Sequence, residues 1–309
     1  MPPLLETPFL AELRHMKNTA LPIVLLAAIV AGTMASCDRL EDPVLDILEA
    51  IPEEYEIPEL PPILADNQRI LVEEFTGHTC GNCPPAALEI DSMVADYGAT
   101  IVPLAIHAGN LAFPTSDYPT DFTTNEGDEY WDDLDNPNNP RGRFNRFENE
   151  GFSLAYTEQN WNSKLSELLD GVATVGMQVE SNSTFDPDKV FIHVQMTWFS
   201  DLLGEYKLAI LVAENNIIAP QTWYDTVDPP GPPNEVVYDY VHKHVLRGSV
   251  TGAKGEVVAT DPAQGDAAQF DYVFTWNDEW IKENCDVIAV LTEVETGRVV
   301  QVTSIPIVE

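Results

Sequence analysis

Hydrophobic and polar positions divide the chain into segments of distinct period. An apolar run at 20–31 passes into small residues that end at Cys37, and over 38–67 prolines and acids interrupt every helical or strand period. Residues 69–75 read as a short apolar strand. Ala86, Ile90, Met93, Val94 and Tyr97 then fall on one face of a helix that Gly98 stops, and 101–106 reads as a second strand. Trp161, Leu165, Leu168 and Leu169 predict another helix, closed by Gly171. Beyond it the pattern turns to short alternating or apolar runs at 172–180, 190–198, 206–214, 270–276, 287–294 and 298–302, separated by Gly, Pro, Asn and Asp clusters. Six or seven such strands predict an antiparallel β-sandwich. The stretch 215–234 holds Pro220, Pro229, Pro230, Pro232 and Pro233, too many for strand or helix. It is expected to be a long ordered loop and a candidate binding surface, with Trp223 and Tyr224 in it and His242 and His244 after it as candidate binding residues.

The N-terminal run is an export signal rather than a membrane span. Twelve helical residues reach about 18 Å, short of the roughly 30 Å hydrocarbon core. Lys17 supplies the positive start, while Glu6 and Glu12 fit such a region poorly, so Met16 is the expected true start. Met34-Ala35-Ser36-Cys37 resembles the lipobox of bacterial lipoproteins, which implies that Cys37 carries the lipid and ties the mature chain to a membrane. Residues 37–68 then read as an acidic, Pro-rich tether with a reach of up to roughly 90 Å at about 3 Å per residue.

Candidate chemistry begins at the end of the first strand. Cys80 and Cys83 lie between that strand and the following helix, a context that turns a common spacing into a redox signal. Two cysteines three apart at a helix start can close a small disulfide, and the helix's partial positive charge acidifies the first thiol. Cys80 would then attack a substrate disulfide and Cys83 would resolve the mixed intermediate. Pro84 and Pro85 suit a first helical turn, so a helix beginning only at Pro84 would leave Cys80 ahead of the dipole. Glu74, six residues before Cys80, reads either as a partly buried proton acceptor with a raised pKa or as a solvated strand-end carboxylate. His78 is a loop histidine beside the pair.

These residues resemble the thioredoxin-like superfamily, in which a cis-proline before a strand faces the cysteine pair. That resemblance assigns the role to Pro140 and makes 69–171 a thioredoxin-like domain with an inserted lobe at 110–138, followed by the β-sandwich at 172–309. Thr79 and Pro84-Pro85 depart from the pattern, where an aromatic and a basic residue are usual. A more specific resemblance runs along nearly the whole mature chain. EEFTGHTCGNCP, AIHAG, DEYWDDL, FNR, ENNIIAPQ and YVHKHVLRG, in that order, resemble the outer-membrane-protein-28-related lipoproteins of Bacteroidetes-type bacteria. The resemblance implies an outer-membrane lipoprotein, on the periplasmic or the surface face, and brings no established activity with it.

Charge narrows the partners. Fifteen basic residues face 51 acidic ones, a net charge of −36 that removal of 1–36 leaves unchanged. Such a surface repels phosphate backbones and argues against nucleic acid. His242 and His244, at i and i+2, would share a face of one strand and could ligate a metal, but with no third ligand in view a packed polar strand is the plainer expectation. Cys285 reads as a buried free thiol, and no cofactor is implied. Three readings follow: a thiol–disulfide oxidoreductase acting on protein thiols or disulfides, a non-catalytic surface-binding or adhesion lipoprotein whose Cys80–Cys83 bridge is structural, and copper binding by Cys80, Cys83 and a histidine.

Overall fold

The computed structural model describes residues 49–134, 137–147, 157–233 and 235–307. The expected signal segment and the expected lipid-bearing Cys37 lie outside them. The first half is α/β. Strand β1 (Ile70–Thr76) leads into helix α1 (Cys83–Tyr97), which crosses to the parallel strand β2 (Ile101–His107). Helix α2 (Asn125–Asp132) follows within the insertion, capped by Thr124 Oγ1 accepting from Gly127 N. Strand β3 (Arg141–Phe144) then pairs antiparallel with β1, and helix α3 (Trp161–Leu168) closes the half.

The second half is all β. Its strands are β4 (Val175–Asn182), β5 (Lys189–Trp198), β6 (Glu205–Glu214), β7 (Ile217–Thr222), β8 (Val236–His242), β9 (Val245–Ser249), β10 (Glu256–Thr260), β11 (Ala267–Thr275), β12 (Cys285–Glu293) and β13 (Val299–Pro306). β4, β5 and β11 form a three-stranded antiparallel sheet, which packs its Val190, Ile192, Val194 and Met196 against Leu208, Ile210, Val212 and Val287. The facing layer does not stop at the expected boundary near residue 171. Its strands run in the order β13-β12-β6-β9-β2-β1-β3, so both halves share one mixed sheet, joined where Ala105 of β2 meets Val245 of β9. Leu71, Phe75 and Ile106 from the first half share a core with Leu211, Ile288 and Val302 from the second.

Strand β1 is covered on both faces, which gives its period-2 alternation two cores. Ile70 and Val72 pack with Ile90 and Met93 of α1 and Trp161 and Leu165 of α3. Leu71 and Phe75 point the other way, toward Tyr130 and Trp131 of α2. Each such buried aliphatic or aromatic side chain contributes about 1.5–3 kcal/mol, so β1 is pinned in register.

One alternative left open by the sequence is decided, and two expectations change. Helix α1 starts at Cys83, so Cys83 sits in the first turn with Pro84, and Cys80 lies ahead of it. The Pro-rich stretch is not all loop: β7 occupies 217–222, with the ladder shifted between Ala219 and Gln221 around Pro220. A bulge in a two-stranded ribbon tolerates the missing N–H that a central strand would not. The second half of the expected tether is docked. Tyr55 stacks on Phe191 at 4.0 Å and bonds His193 Nε2 at 2.8 Å, while Ile63 N donates to Thr197 Oγ1. These contacts cover the outer face of β5, whose residues 190–198 are all buried. A strand buried on both faces needs a second apolar layer, and Tyr55 and Ile63 supply it.

Candidate functional site

The Cys80 and Cys83 side chains are joined as a disulfide in the loop between β1 and α1. Cys83 N donates to Cys80 O, closing the turn that places Cys83 at the helix start. Both cysteines are buried, at 3% and 2% exposure, because another part of the chain lies over them. The cover is the β7–β8 hairpin. Thr222 N donates to His78 O at 2.8 Å and Tyr224 N to Gly81 O at 3.1 Å, so the end of β7 runs along the cysteine loop by main-chain bonds. Gln221 Nε2 donates to Cys80 O at 3.0 Å and, longer, to Gly77 O. The Tyr224 ring sits so close to Gly81 that a Cβ there would fall 2.4 Å from it, and only glycine admits this approach.

Pro140 stands at the same end of the sheet. The Asn139–Pro140 bond is cis, and β3 begins at Arg141 opposite Phe75, so the proline precedes the strand beside the end of β1. Asn139 Nδ2 donates to Thr76 O and Ala108 O, tying this corner to the ends of β1 and β2. His78 is held away from any exposed role: Nε2 donates to Phe113 O at 3.0 Å and the ring stacks on Tyr118.

Glu74 is 4% exposed, and its Oε1 has no hydrogen-bond partner among the described residues. Burial, aided by the negative charge of Asp91, pushes its pKa up to about 8. By strand alternation it lies on the α1 side of β1, with Ile70 and Val72. There it lines a cavity of about 230 Å³ together with Ala87 and Leu88 of α1, Tyr240 and His244. Burial lowers His244 to about 4, leaving it neutral at pH 7, and burial together with the Glu74 charge raises the Tyr240 phenol. An ion pair lines this cavity on its more exposed side, Lys243 Nζ to Asp91 Oδ2 at 2.7 Å.

His242 and His244 do not share a face. His242 ends β8 and packs on Phe122 and His107, while His244 adopts a positive φ of 55° in the turn to β9 and faces the Glu74 cavity. The turn between them breaks the i, i+2 alternation. Among the described residues no group of three His, Cys, Asp or Glu side chains is placed to hold a metal ion. Trp223 and Tyr224 belong to the cover over the disulfide, with Trp223 Nε1 donating to Pro229 O. Cys285 is buried, and burial raises its thiol pKa. Sequence reasoning missed Gln221 and Thr222, although the ENNIIAPQ segment that carried the family resemblance ends on Gln221.

Among the described residues no helix is long and apolar enough to cross a membrane. Among solved structures, HBP35 of Porphyromonas gingivalis superposes with a TM-score of 0.57 at 19% identity, covering 78% of this chain and 76% of that one. That likeness bears on the fold. A domain of the outer membrane lipoprotein Omp28 from Porphyromonas gingivalis is 17% identical over 44% of this chain and 90% of that one, with a TM-score of 0.30. None of the curated proteins matches the chain at a significant level. The family described as outer membrane protein Omp28 matches residues 128–309, from within α2 through the whole β half. With more than half its length inside that match, the chain belongs to the Omp28 family of outer membrane proteins.

Proposed function

We propose that the protein is an envelope lipoprotein, lipid-anchored through Cys37, whose thioredoxin-like module exchanges disulfides at Cys80–Cys83 under the β7–β8 cover. The observation that carries this reading is Glu74. A buried carboxyl with an unsatisfied oxygen costs stability, and a structural disulfide has no need of one. With its pKa near 8, Glu74 holds a proton at pH 7 on the side of β1 that faces the first turns of α1.

Starting from the disulfide, a substrate thiolate attacks Cys80 Sγ, the Cys80–Cys83 bond breaks, and Cys83 leaves as a thiolate that takes the Glu74 proton. A second substrate thiolate then attacks its partner sulfur in the mixed disulfide and releases Cys80 as a thiolate. The substrate loses two electrons and the module gains them. The reverse runs from the reduced pair, with Cys80 attacking and Cys83 surrendering its proton to Glu74. In either direction the hairpin must leave Cys80, since no substrate sulfur reaches a residue that is 3% exposed.

That same burial favours a second reading, in which the bridge is a staple and the protein binds partners without turnover. Trapping separates the two. Cys83→Ser in the reduced soluble body should accumulate mixed disulfides on Cys80 and leave wild-type untrapped. A staple instead predicts no adducts and a potential near or below about −300 mV. The anchor is tested by mass spectrometry of the membrane-extracted N-terminus: an acylated Cys37 is expected, and an unmodified terminus elsewhere ends that part of the proposal.

A further inference from the structure

On the opposite side of β1 from Glu74 lies a second cavity, of about 310 Å³, lined by Arg143, Arg146, Lys207, Lys254, Asp133 and Glu293. Four of the 15 lysines and arginines of a chain with net charge −36 converge there. Chance scatter of so few cations does not concentrate them in one concavity, and two of the four are arginines held inside the protein. The side chains of Arg143 and Arg146 are only 3% and 10% exposed. Both are fixed by Glu73, which accepts from Nε and Nη2 of each, so Nη1 of each stands outside that pairing. Arg146 is further held 4.5 Å over the Tyr130 ring.

The local charges identify the ligand. Glu73 neutralises one of the two guanidiniums and leaves the pair with a single surplus positive charge. Lys254 is paired with Asp133. Glu293 accepts the Thr296 hydroxyl at 2.6 Å, and Lys207 makes no ion pair among the described residues. Counting Glu73, Asp133 and Glu293 against the four cations leaves one positive charge in the concavity, with fixed planar donors at its wall and a loose ammonium beside them. Fixed guanidinium donors match a carboxylate, which can bind them bidentately.

We infer that this cavity binds a singly charged organic carboxylate, through Arg143, Arg146 and Lys207. The room exceeds what acetate fills, so a carbon body lies against Val294 and the aliphatic stems of the lysines. The carboxylate is that of a free small acid or of a peptide C-terminus. This site stands apart from Cys80–Cys83, and the inference does not rest on disulfide exchange.

The test is calorimetric titration of the intact soluble body with hexanoate, with phosphate, and with a short peptide in its free-acid and C-terminally amidated forms. Saturable binding of hexanoate with Kd below about 1 mM is expected, together with a loss of at least about tenfold in Lys207→Met. Lys243→Met, which alters a lysine at the other cavity, should bind as wild-type does. Lys207 is partly exposed and makes no ion pair among the described residues, so unchanged thermal unfolding of its variant separates lost binding from lost folding. If the free-acid peptide binds and the amidated one does not, the ligand is a peptide terminus. If only hexanoate binds, it is a small acid. Tighter binding of phosphate, equal binding by Lys207→Met, or no saturation by any carboxylate overturns the inference.

Discussion

Glu73 and Glu74 are neighbours on one strand, both buried, and β1 sends them to opposite faces with opposite consequences. Burial alone would raise both. On the α2 side, the guanidiniums of Arg143 and Arg146 reverse that and hold Glu73 down to about 2. On the α1 side burial is reinforced by the negative charge of Asp91, and Glu74 rises to about 8. One residue of register therefore separates a buried ion cluster from a carboxyl that burial pushes toward its neutral form. Burying a charge is tolerable only where its partners are buried with it; where they are absent, the group neutralises itself instead.

The largest effect should come from breaking the paired side. Glu73→Gln leaves two arginines against an uncharged amide, and about 3–5 kcal/mol of stability should be lost at pH 7 in urea unfolding. A loss below about 1 kcal/mol would mean that the cluster is open to solvent. The pH dependence has a definite sign. Glu73 is depressed in the folded state, so its contribution is present above the unfolded value of 4.5 and fades as pH falls toward 2.

The unpaired side should behave oppositely, with an effect that is near zero at pH 4.5 and grows with pH. Between 4.5 and about 8 the unfolded chain ionises Glu74 while the folded protein keeps the proton, so stability falls as pH rises through that window. Each pH unit is worth about 1.4 kcal/mol at most. Glu74→Gln removes this term. Its stability should match wild-type near pH 4.5 and exceed it increasingly up to pH 8, in paired unfolding curves. A flat difference between the two curves would show that Glu74 is ionised in the folded state. The same variant should slow disulfide exchange if the stored proton serves Cys83.

The mildest perturbation asks whether the unpaired side is the gated one. Tyr224→Ala opens the space beside Gly81, and reduction of the Cys80–Cys83 bridge by a small thiol should accelerate about tenfold. Gly81→Ala should do the same from the other partner, because its methyl group would occupy the place of the Tyr224 ring. If neither substitution changes the reduction rate, the hairpin is no barrier and its contact with the loop is only packing.

Much of this was legible along the chain because it depends on neighbours in sequence. Ala86, Ile90 and Met93 read as one helical face and are buried as one. The run before Cys80 read as a strand, and the strands of 190–198 and 206–214 were placed within a residue. Glu74 was readable as a candidate from its distance to Cys80, but whether it was solvated depended on Tyr240 and His244, far along the chain. The docked segment 49–63 was not readable as docked, since proline-rich stretches lack a period whether or not they lie on a sheet.

Sequence alone determined the disulfide-forming spacing, the α/β-then-β order and the excess of acidic residues, and it raised the expectation of export and lipid signals. Each follows from composition or from contacts a few residues apart. Tertiary structure alone decided three things. It joined the two halves through one sheet, laid Gln221, Thr222 and Tyr224 over the cysteine loop, and gathered Arg143, Arg146, Lys207 and Lys254 into one concavity. Those arrangements depend on which distant strands pair and which side of β1 each side chain takes. A one-residue difference in register exchanges the two sides, so local periodicity limits the possibilities while long-range packing selects among them.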